Sequence, residues 1–273
     1  MKPFLKWAGG KLRIVDRIKA LLPPGQRLVE PFVGSGALFL NTDYAAYLLA
    51  DANADLINLY QQLQQGGQPF IDYCASFFTA ANNDEATFYT LRRHFNQTGD
   101  PLAKAALFVY LNKHCYNGLC RYNGRGEFNV PFGRYKQPYF PAVELAAFQQ
   151  KAQSATFVVQ DFVTTMNAAQ PDDVVYCDPP YTPLSATANF TSYSADGFGV
   201  AEQQKLAVMA DLLRQRGITV VISNHDTPFT RLLYATANEQ QYFGVQRHIS
   251  CDGANRIKAD EVLALYRLAA DGV

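Results

Sequence analysis

Hydrophobic positions along the chain follow two rhythms. Leu12, Ile14, Val15, Ile18, Leu21 and Leu22 fall at helical spacing until Pro23-Pro24-Gly25 stops them. Arg27-Leu28-Val29-Glu30 then reads as a short strand that leads through a Gly-rich turn into a helix start, and Tyr47-Leu48-Leu49-Ala50 reads as a second strand ending at Asp51. From about Asn53 to Asn112 the spacing is helical, carried by Leu56, Ile57, Leu59, Tyr60 and Leu63, then Phe88, Leu91 and Phe95, then Leu102 to Leu111. After Pro141 strands and helices alternate again. A helix near 142–153, a strand Thr156–Gln160, a strand over 173–177, a helix at about 201–215 and a strand Ile218–Ser223 precede two closing strands at 240–248 and 260–268. Alternation of this kind predicts an α/β sheet, and the helical stretch that interrupts it predicts an inserted subdomain. The expected organisation is a sheet domain in two parts, 1–52 and 142–273, around a mainly helical insert at 53–141.

Composition narrows this little. With 273 residues, 48% hydrophobic and 18% charged, the chain has an ordinary globular composition with enough length for one core and an inserted subdomain. Lys plus Arg equals Asp plus Glu at 24 each, so only local clustering of charge is informative. Such a cluster exists at 113–141, where Lys113, Arg121, Arg125, Arg134 and Lys136 stand against Glu127 alone, a net +4 from five bases minus one acid. Seven aromatics interleave with them (Tyr116, Tyr122, Phe128, Phe132, Tyr135, Tyr139, Phe140), along with Asn117, Asn123 and Asn129. Bases of this kind neutralise phosphates, Arg and Asn read guanine and adenine edges, and rings wedge or stack, so the segment predicts contact with a nucleic acid. A loop packed on its own aromatics is the competing expectation. Five cysteines without a CxxC pair fit reduced cytosolic thiols, and His114, Cys115 and Cys120 lack a fourth ligand at zinc spacing, so no metal is expected. No segment has the roughly 20 apolar residues of a membrane span.

The chemistry centres on Val174-Val175-Tyr176-Cys177-Asp178-Pro179-Pro180-Tyr181. A buried strand runs into two prolines, which have no N–H to give a ladder, so Asp178 and Tyr181 are delivered to a strand end, where open α/β sheets bind ligands. Glu30, Phe32, Gly34 and Gly36 belong to the first strand–turn, and Asp51 ends the next strand, an arrangement suited to the ribose hydroxyls of a nucleoside. No Arg or Lys lies between Gly34 and Asp51 to meet a pyrophosphate, which disfavours a dinucleotide. Gly9-Gly10-Lys11 lacks the full phosphate-loop pattern, and Trp7 beside a lysine suits a flat aromatic ligand next to an anion. Asp161-Phe162, again at a strand end, offers a hydrogen bond and a ring to a nucleobase. Residues 182–199 read as a flap, His225 as a packing or helix-start residue rather than a base, and Arg256 with Lys258 as a second phosphate contact.

WAGGK at 7–11, VEPFVGSGA at 29–37, LAD at 49–51, NGLCRYN at 117–123, RGEFNVPFGRYK at 125–136, DPPY at 178–181, PLSATANF at 183–190 and ISNHD at 222–226 occur in one order. In that order the chain resembles, over essentially its whole length, the Dam-type DNA adenine-N6 methyltransferases of the D12 class. The resemblance implies a Rossmann-like methyltransferase domain, S-adenosylmethionine as donor with S-adenosylhomocysteine as product, and duplex DNA carrying 5′-GATC as target. It places Trp7, Lys11, Asp51 and Asp178 at the donor site, and Lys6, Arg92, Tyr116, Asn117, Leu119, Arg121, Pro131, Arg134, Tyr135 and Lys136 against DNA. Asn123 and Arg125 lie in the same basic block and are counted with them, as Glu30, Phe32, Asp161 and Phe162 are with the donor site. Asp178, Pro179, Pro180 and Tyr181 are the expected catalytic residues, acting on a flipped adenine. A cytoplasmic, nucleoid-associated monomer with no obligate protein partner is expected. The chain departs from the family at 113–115, where Lys-His-Cys stands at positions more often filled by Arg-Tyr-Gly, and in a thinner basic loop at 250–258. Two other readings stay open: the same chemistry on an amino group of RNA or protein, and a catalytically silent GATC-binding module.

Overall fold

The computed structural model describes residues 1–181, 198–246 and 258–268. Eight α-helices and seven β-strands occur among the described residues, and the chain divides into two compact units. The flap expected over 182–199 falls, through residue 197, outside the described residues, as does the phosphate contact expected of Arg256.

One unit comprises Asp16–Phe32, Asp43–Ala50 and Gln160–Val273. Its strands are β1 (Arg27–Glu30), β2 (Ala46–Asp51, all but its last residue), β4 (Asp173–Cys177), β5 (Thr219–His225), β6 (Glu239–Gln246) and β7 (Lys258–Tyr266), in the order β2-β1-β4-β5-β7-β6. β1 is parallel to both β2 and β4, β4 is parallel to β5, and β7 runs antiparallel to β5 and β6. β4 is buried at every position, as expected of a central strand covered on both faces, and its apolar run needs no alternation for that reason. Arg27 clamps Asp173 with Nε to Oδ1 at 3.0 Å and Nη2 to Oδ2 at 2.6 Å, which pins the register where β1 and β4 begin. The chain leaves β1 on one side for β2 and on the other for β4. The carboxyl ends of β1 and β4 therefore flank a topological switch point, the place where such sheets take ligands.

The other unit comprises Met1–Val15, Val33–Thr42 and Asp51–Val159. It holds α2 (Ala54–Ser76), α3 (Glu85–Gln97), α4 (Pro101–His114), α5 (Ala142–Ala152) and β3 (Ala155–Val159). Three helices begin on acceptor side chains: Asn53 takes the N–H groups of Asp55 and Leu56, Asp84 that of Thr87, and Asp100 that of Leu102 with Pro101 following. α2 is interrupted at Gly67, whose φ of 53° breaks the helix just before Pro69. Phe148 sits at the centre of the core, stacked on Tyr60 at 4.7 Å and edge-on to Phe4 at 5.1 Å and Phe39 at 5.4 Å.

Two local expectations are corrected. The helix start after Gly36 is only a 3-10 turn, Phe39–Asn41. Asn41 Nδ2 and Thr42 Oγ1 donate back to the carbonyls of Ala37 and Leu38 at 2.7 and 3.0 Å, and side chains that bond the backbone in this way compete with helix continuation. Lys113 and His114 do not open the basic loop but close α4, where both are buried.

His114 has a consequence for stability. Its Nδ1 donates to the Tyr110 carbonyl at 2.8 Å and its ring stacks on Tyr110 at 3.9 Å. Burial outweighs that hydrogen bond and lowers its pKa from 6.5 to about 4. The unfolded chain therefore binds the proton first, and stability held above pH 6.5 is lost as pH falls toward 4. Between pH 7 and 5 the protein is expected to lose about 2 kcal/mol that His114→Phe does not lose. Urea unfolding of both proteins at the two pH values measures this, and equal losses would remove His114 as the cause.

Candidate active site and DNA-contact loop

In the helical unit the glycine turn is built on Asp51. Gly34 adopts a φ of 46°, and a Cβ there would lie 2.8 Å from Trp7 Nε1, so only glycine lets the indole pack on this backbone. The Gly34 N–H donates to Asp51 Oδ2 at 3.1 Å, the Asn53 N–H to Asp51 Oδ1 at 2.9 Å, and Tyr60 donates to the Gly34 carbonyl at 2.5 Å. Desolvation pushes the Asp51 carboxyl above its usual range, against the N–H groups of Asn53, Gly34 and Ala52, which pull it down. Lys11 is buried, with Nζ donating to the Gly9 carbonyl at 2.6 Å, and Trp7 is half-buried. Gly36 lies against Phe148 and Phe39, a packing contact.

In the sheet unit Glu30 is buried at the end of β1, and Phe32 two residues on stacks on Phe162 at 5.6 Å. Phe198 meets both rings edge-on at 5.5 Å. Asp161 is an N-cap: Thr164 donates its N–H at 3.0 Å and its hydroxyl at 2.7 Å, which holds the exposed carboxyl below its usual range. Asp178 directly follows β4 and its Oδ1 accepts from Ser223 Oγ at 2.9 Å. Tyr176 OH lies 2.9 Å from the same Ser223 oxygen. The Pro180 carbonyl accepts from Gln203 Nε2 at 2.8 Å, and the buried Asn224 donates to Gln203 Oε1 at 3.0 Å, so the end of the diproline is tied to the helix α7 (Val200–Gln215). Tyr181 is edge-on to His225 at 4.5 Å and donates to Glu261 Oε2 over a long 3.5 Å. Burial raises the Tyr181 phenol well above its ordinary value, with the charges of Asp178 and Glu261 adding to it. His225 ends β5 buried against that ring, the packing role expected of it.

Sequence reasoning missed Ser223, Tyr176, Gln203 and Glu261. A signal was present for Ser223, a small hydroxyl near the end of the strand that borders β4. Glu261 is invisible without the register that sets it opposite His225.

The basic segment is ordered by its own side chains. Bridges Cys115↔Phe132 and Tyr122↔Phe128 fold it back on itself. Phe128 packs on Phe95, Phe132 on Phe88 and Phe140 on Phe78. Tyr122 donates to Asp55 Oδ2 at 2.8 Å, and Tyr135 accepts from the Asn117 N–H at 2.9 Å with Lys6 Nζ 4.2 Å above its ring. Most of the rings thus serve packing, and only Tyr116 (45%) and Tyr139 (57%) are exposed. The charged groups point the other way: Arg121, Arg125, Arg134 and Lys136 are exposed, as is Pro131. Arg121 Nε donates to Asn129 Oδ1 at 2.7 Å, Asn123 Oδ1 accepts the N–H groups of Arg125 and Glu127, and Arg134 makes a surface pair with Glu85 at 3.3 Å. Arg92 Nη1 donates to the Val130 carbonyl at 2.9 Å and lies over Tyr89. Asn117 and Leu119 are half-buried around Gly118, where a Cβ would lie 2.4 Å from the Lys6 stem.

A mixed sheet with an acid before and a tyrosine after its diproline, and a segment of exposed arginines, fit the class of amino-group methyltransferases that act on nucleic acids. The model of the D12 class N6 adenine-specific DNA methyltransferases matches residues 7–247, and the chain belongs to that family. It is 52% identical to the DNA adenine methylase of Serratia marcescens over 97% of this chain and 98% of that one. It is 51% identical to that of Escherichia coli K12 and 50% identical to that of Vibrio cholerae El Tor, over 97% of this chain and 95% and 96% of theirs. The enzyme is an adenine-specific DNA methyltransferase that depends on S-adenosylmethionine. The residues present fit that donor: a carboxylate at a strand end for ribose hydroxyls, an indole edge on the glycine turn, and no cation between Gly34 and Asp51 that a pyrophosphate needs. No helix among the described residues is long and apolar enough to cross a membrane.

Proposed function

We propose that the enzyme methylates N6 of adenine within 5′-GATC in duplex DNA, with the target base flipped out of the helix. The observation that carries this is Asp178, a carboxylate set immediately beyond a buried central strand and oriented by a buried serine. Adenine N6 is a poor nucleophile because its lone pair is delocalised into the ring, and in B-DNA its edge is paired and stacked. Asp178 and the Pro179 carbonyl accept the two N6 hydrogens, which makes the nitrogen more tetrahedral and stabilises positive charge as it develops there. Tyr181 offers the face on which the flipped base stacks. S-adenosylmethionine supplies an electrophilic methyl on a sulfonium. In the helical unit Trp7, Lys11 and Asp51 are the residues that serve the donor; in the sheet unit they are Glu30, Phe32, Phe162 and Asp161, whose exposed carboxylate keeps free acceptor positions beyond its cap. The transferred ammonium is acidic enough to lose its proton without an enzymic base.

Residues 53–141 act as the target-recognition part. Arg121, Arg125, Arg134 and Lys136 are its outward cations, and Asn123 shapes the turn that presents Arg125. The protein acts as a monomer, in the cytoplasm on nucleoid DNA. Plasmid DNA treated with enzyme and donor is expected to become resistant to a nuclease that cuts only unmethylated GATC and sensitive to one that cuts only methylated GATC. Methyl incorporation without either change would move the target to another sequence, and incorporation into RNA or protein alone would overturn the reading.

A further inference from the structure

Behind the reacting carboxylate lies a pair of buried hydroxyls. Ser223 is fully buried on β5, in the strand beside β4, and its Oγ lies 2.9 Å from Asp178 Oδ1, 2.9 Å from Tyr176 OH and 3.4 Å from the Cys177 carbonyl. The protons of this group can be assigned by counting. An ionised carboxylate only accepts, so the single hydrogen of Ser223 goes to Asp178, the shorter of its two acceptor contacts. The Tyr176 hydroxyl must then be the donor to Ser223, and burial, which raises its pKa well above the ordinary value, keeps that proton in place. The chain runs from the buried Tyr176 through the buried Ser223 to Asp178, each hydrogen bond polarising the next. Tyr176 and Asp178 are two residues apart along extended chain, so both project toward the same side, and Ser223 spans them from the neighbouring strand.

We propose that Ser223 is a positioning residue for methyl transfer: it orients and charge-stabilises the Asp178 carboxylate for adenine N6, and Tyr176 acts only through it. This rests on the reading of Asp178 as acceptor of the N6 hydrogens. The relay matters most at the chemical step, because the load on the carboxylate grows as the amino nitrogen becomes cationic. Binding of donor and of DNA involves neither hydroxyl.

Single-turnover methyl transfer from tritiated donor to a GATC duplex, with separate equilibrium binding of donor and duplex, tests this. Ser223→Ala is expected to slow the single-turnover rate by roughly 10- to 100-fold, the worth of one hydrogen bond to a charged group. Both binding constants should stay within about twofold, so that the loss falls on the rate of the chemical step rather than on either Kd. Ser223→Thr, which keeps the hydroxyl, should restore most of the rate. The double variant Y176F/S223A leaves no orphaned hydroxyl and so guards against loss of folding. It should be about as slow as Ser223→Ala alone, because the tyrosine's hydrogen bonding reaches Asp178 through Ser223. An unchanged rate in Ser223→Ala, failure of the threonine to rescue, or a rate loss matched by weakened donor binding would overturn the proposal. Asp178→Ala run in parallel separates the two layers. If it abolishes transfer while Ser223→Ala is normal, only the relay fails; if it retains transfer, the reading of Asp178 fails first.

Discussion

Asp178→Ala is expected to lower the single-turnover rate of methyl transfer, measured at saturating donor and DNA, by at least about 10³-fold. Removing one preorganised group aimed at developing charge costs on the order of 10²–10³-fold in rate. In the proposed reading the same substitution also removes the acceptor that orients the N6 lone pair. The fold should survive, because Asp178 lies past the end of β4 rather than within it, and the clamp that sets the register is Arg27 on Asp173 at the other end of the strand. Loss of the carboxylate leaves Ser223 Oγ with the Cys177 carbonyl at 3.4 Å as an alternative acceptor, so no buried donor is abandoned. A tritiated-methyl assay, with the unfolding transition followed on the same sample, is the measurement. Residual transfer within about tenfold of the wild type, with an intact fold, would remove Asp178 from the chemistry.

Asp51→Ala is expected to act on the donor instead. Its carboxylate fixes the Gly34 and Asn53 N–H groups from one side, and in the proposed reading it accepts the ribose hydroxyls as well. Losing a hydrogen bond to a charged group costs about 1.5–3 kcal/mol, which corresponds to a donor Kd raised roughly 10- to 100-fold. The two abandoned backbone donors add instability in the glycine turn, so a lowered melting temperature should accompany the weaker binding. Duplex affinity is the control, because Asp51 belongs to no element that faces DNA in the proposed reading. Titration of donor by calorimetry decides the matter. Unchanged donor affinity in a folded variant would make Asp51 a purely structural acceptor.

What could be read from the chain depended on how local its cause was. β4 was legible because an uninterrupted apolar run ended by Pro179-Pro180 has few other meanings. The helices were legible because Leu56 to Leu63, Phe88 to Phe95 and Leu102 to Leu111 keep helical spacing. The 3-10 turn at Phe39 was not, because it depends on Asn41 and Thr42 turning back on the carbonyls behind them. Nor does a pattern of alternating rings and bases say which way each points. Phe128, Phe132 and Phe140 went inward and left Tyr116 and Tyr139 as the exposed rings of the loop, so the expectation of a loop packed on its own aromatics accounts for most of them. Ser223 and Glu261 owe their positions to strands distant in sequence, β4 beside β5 and β5 beside β7, and no window along the sequence reports that.

The turning of those rings inward changes what DNA meets. With Arg121 already hydrogen-bonded to Asn129, the Arg125 turn set by Asn123, and Phe128 and Phe132 packed on helices beneath, the loop is held in one conformation, and in the proposed reading it meets the duplex so. The rotamer and backbone entropy that a flexible reading arm surrenders on contact was given up here during folding, so more of each phosphate and base contact is left to appear as affinity.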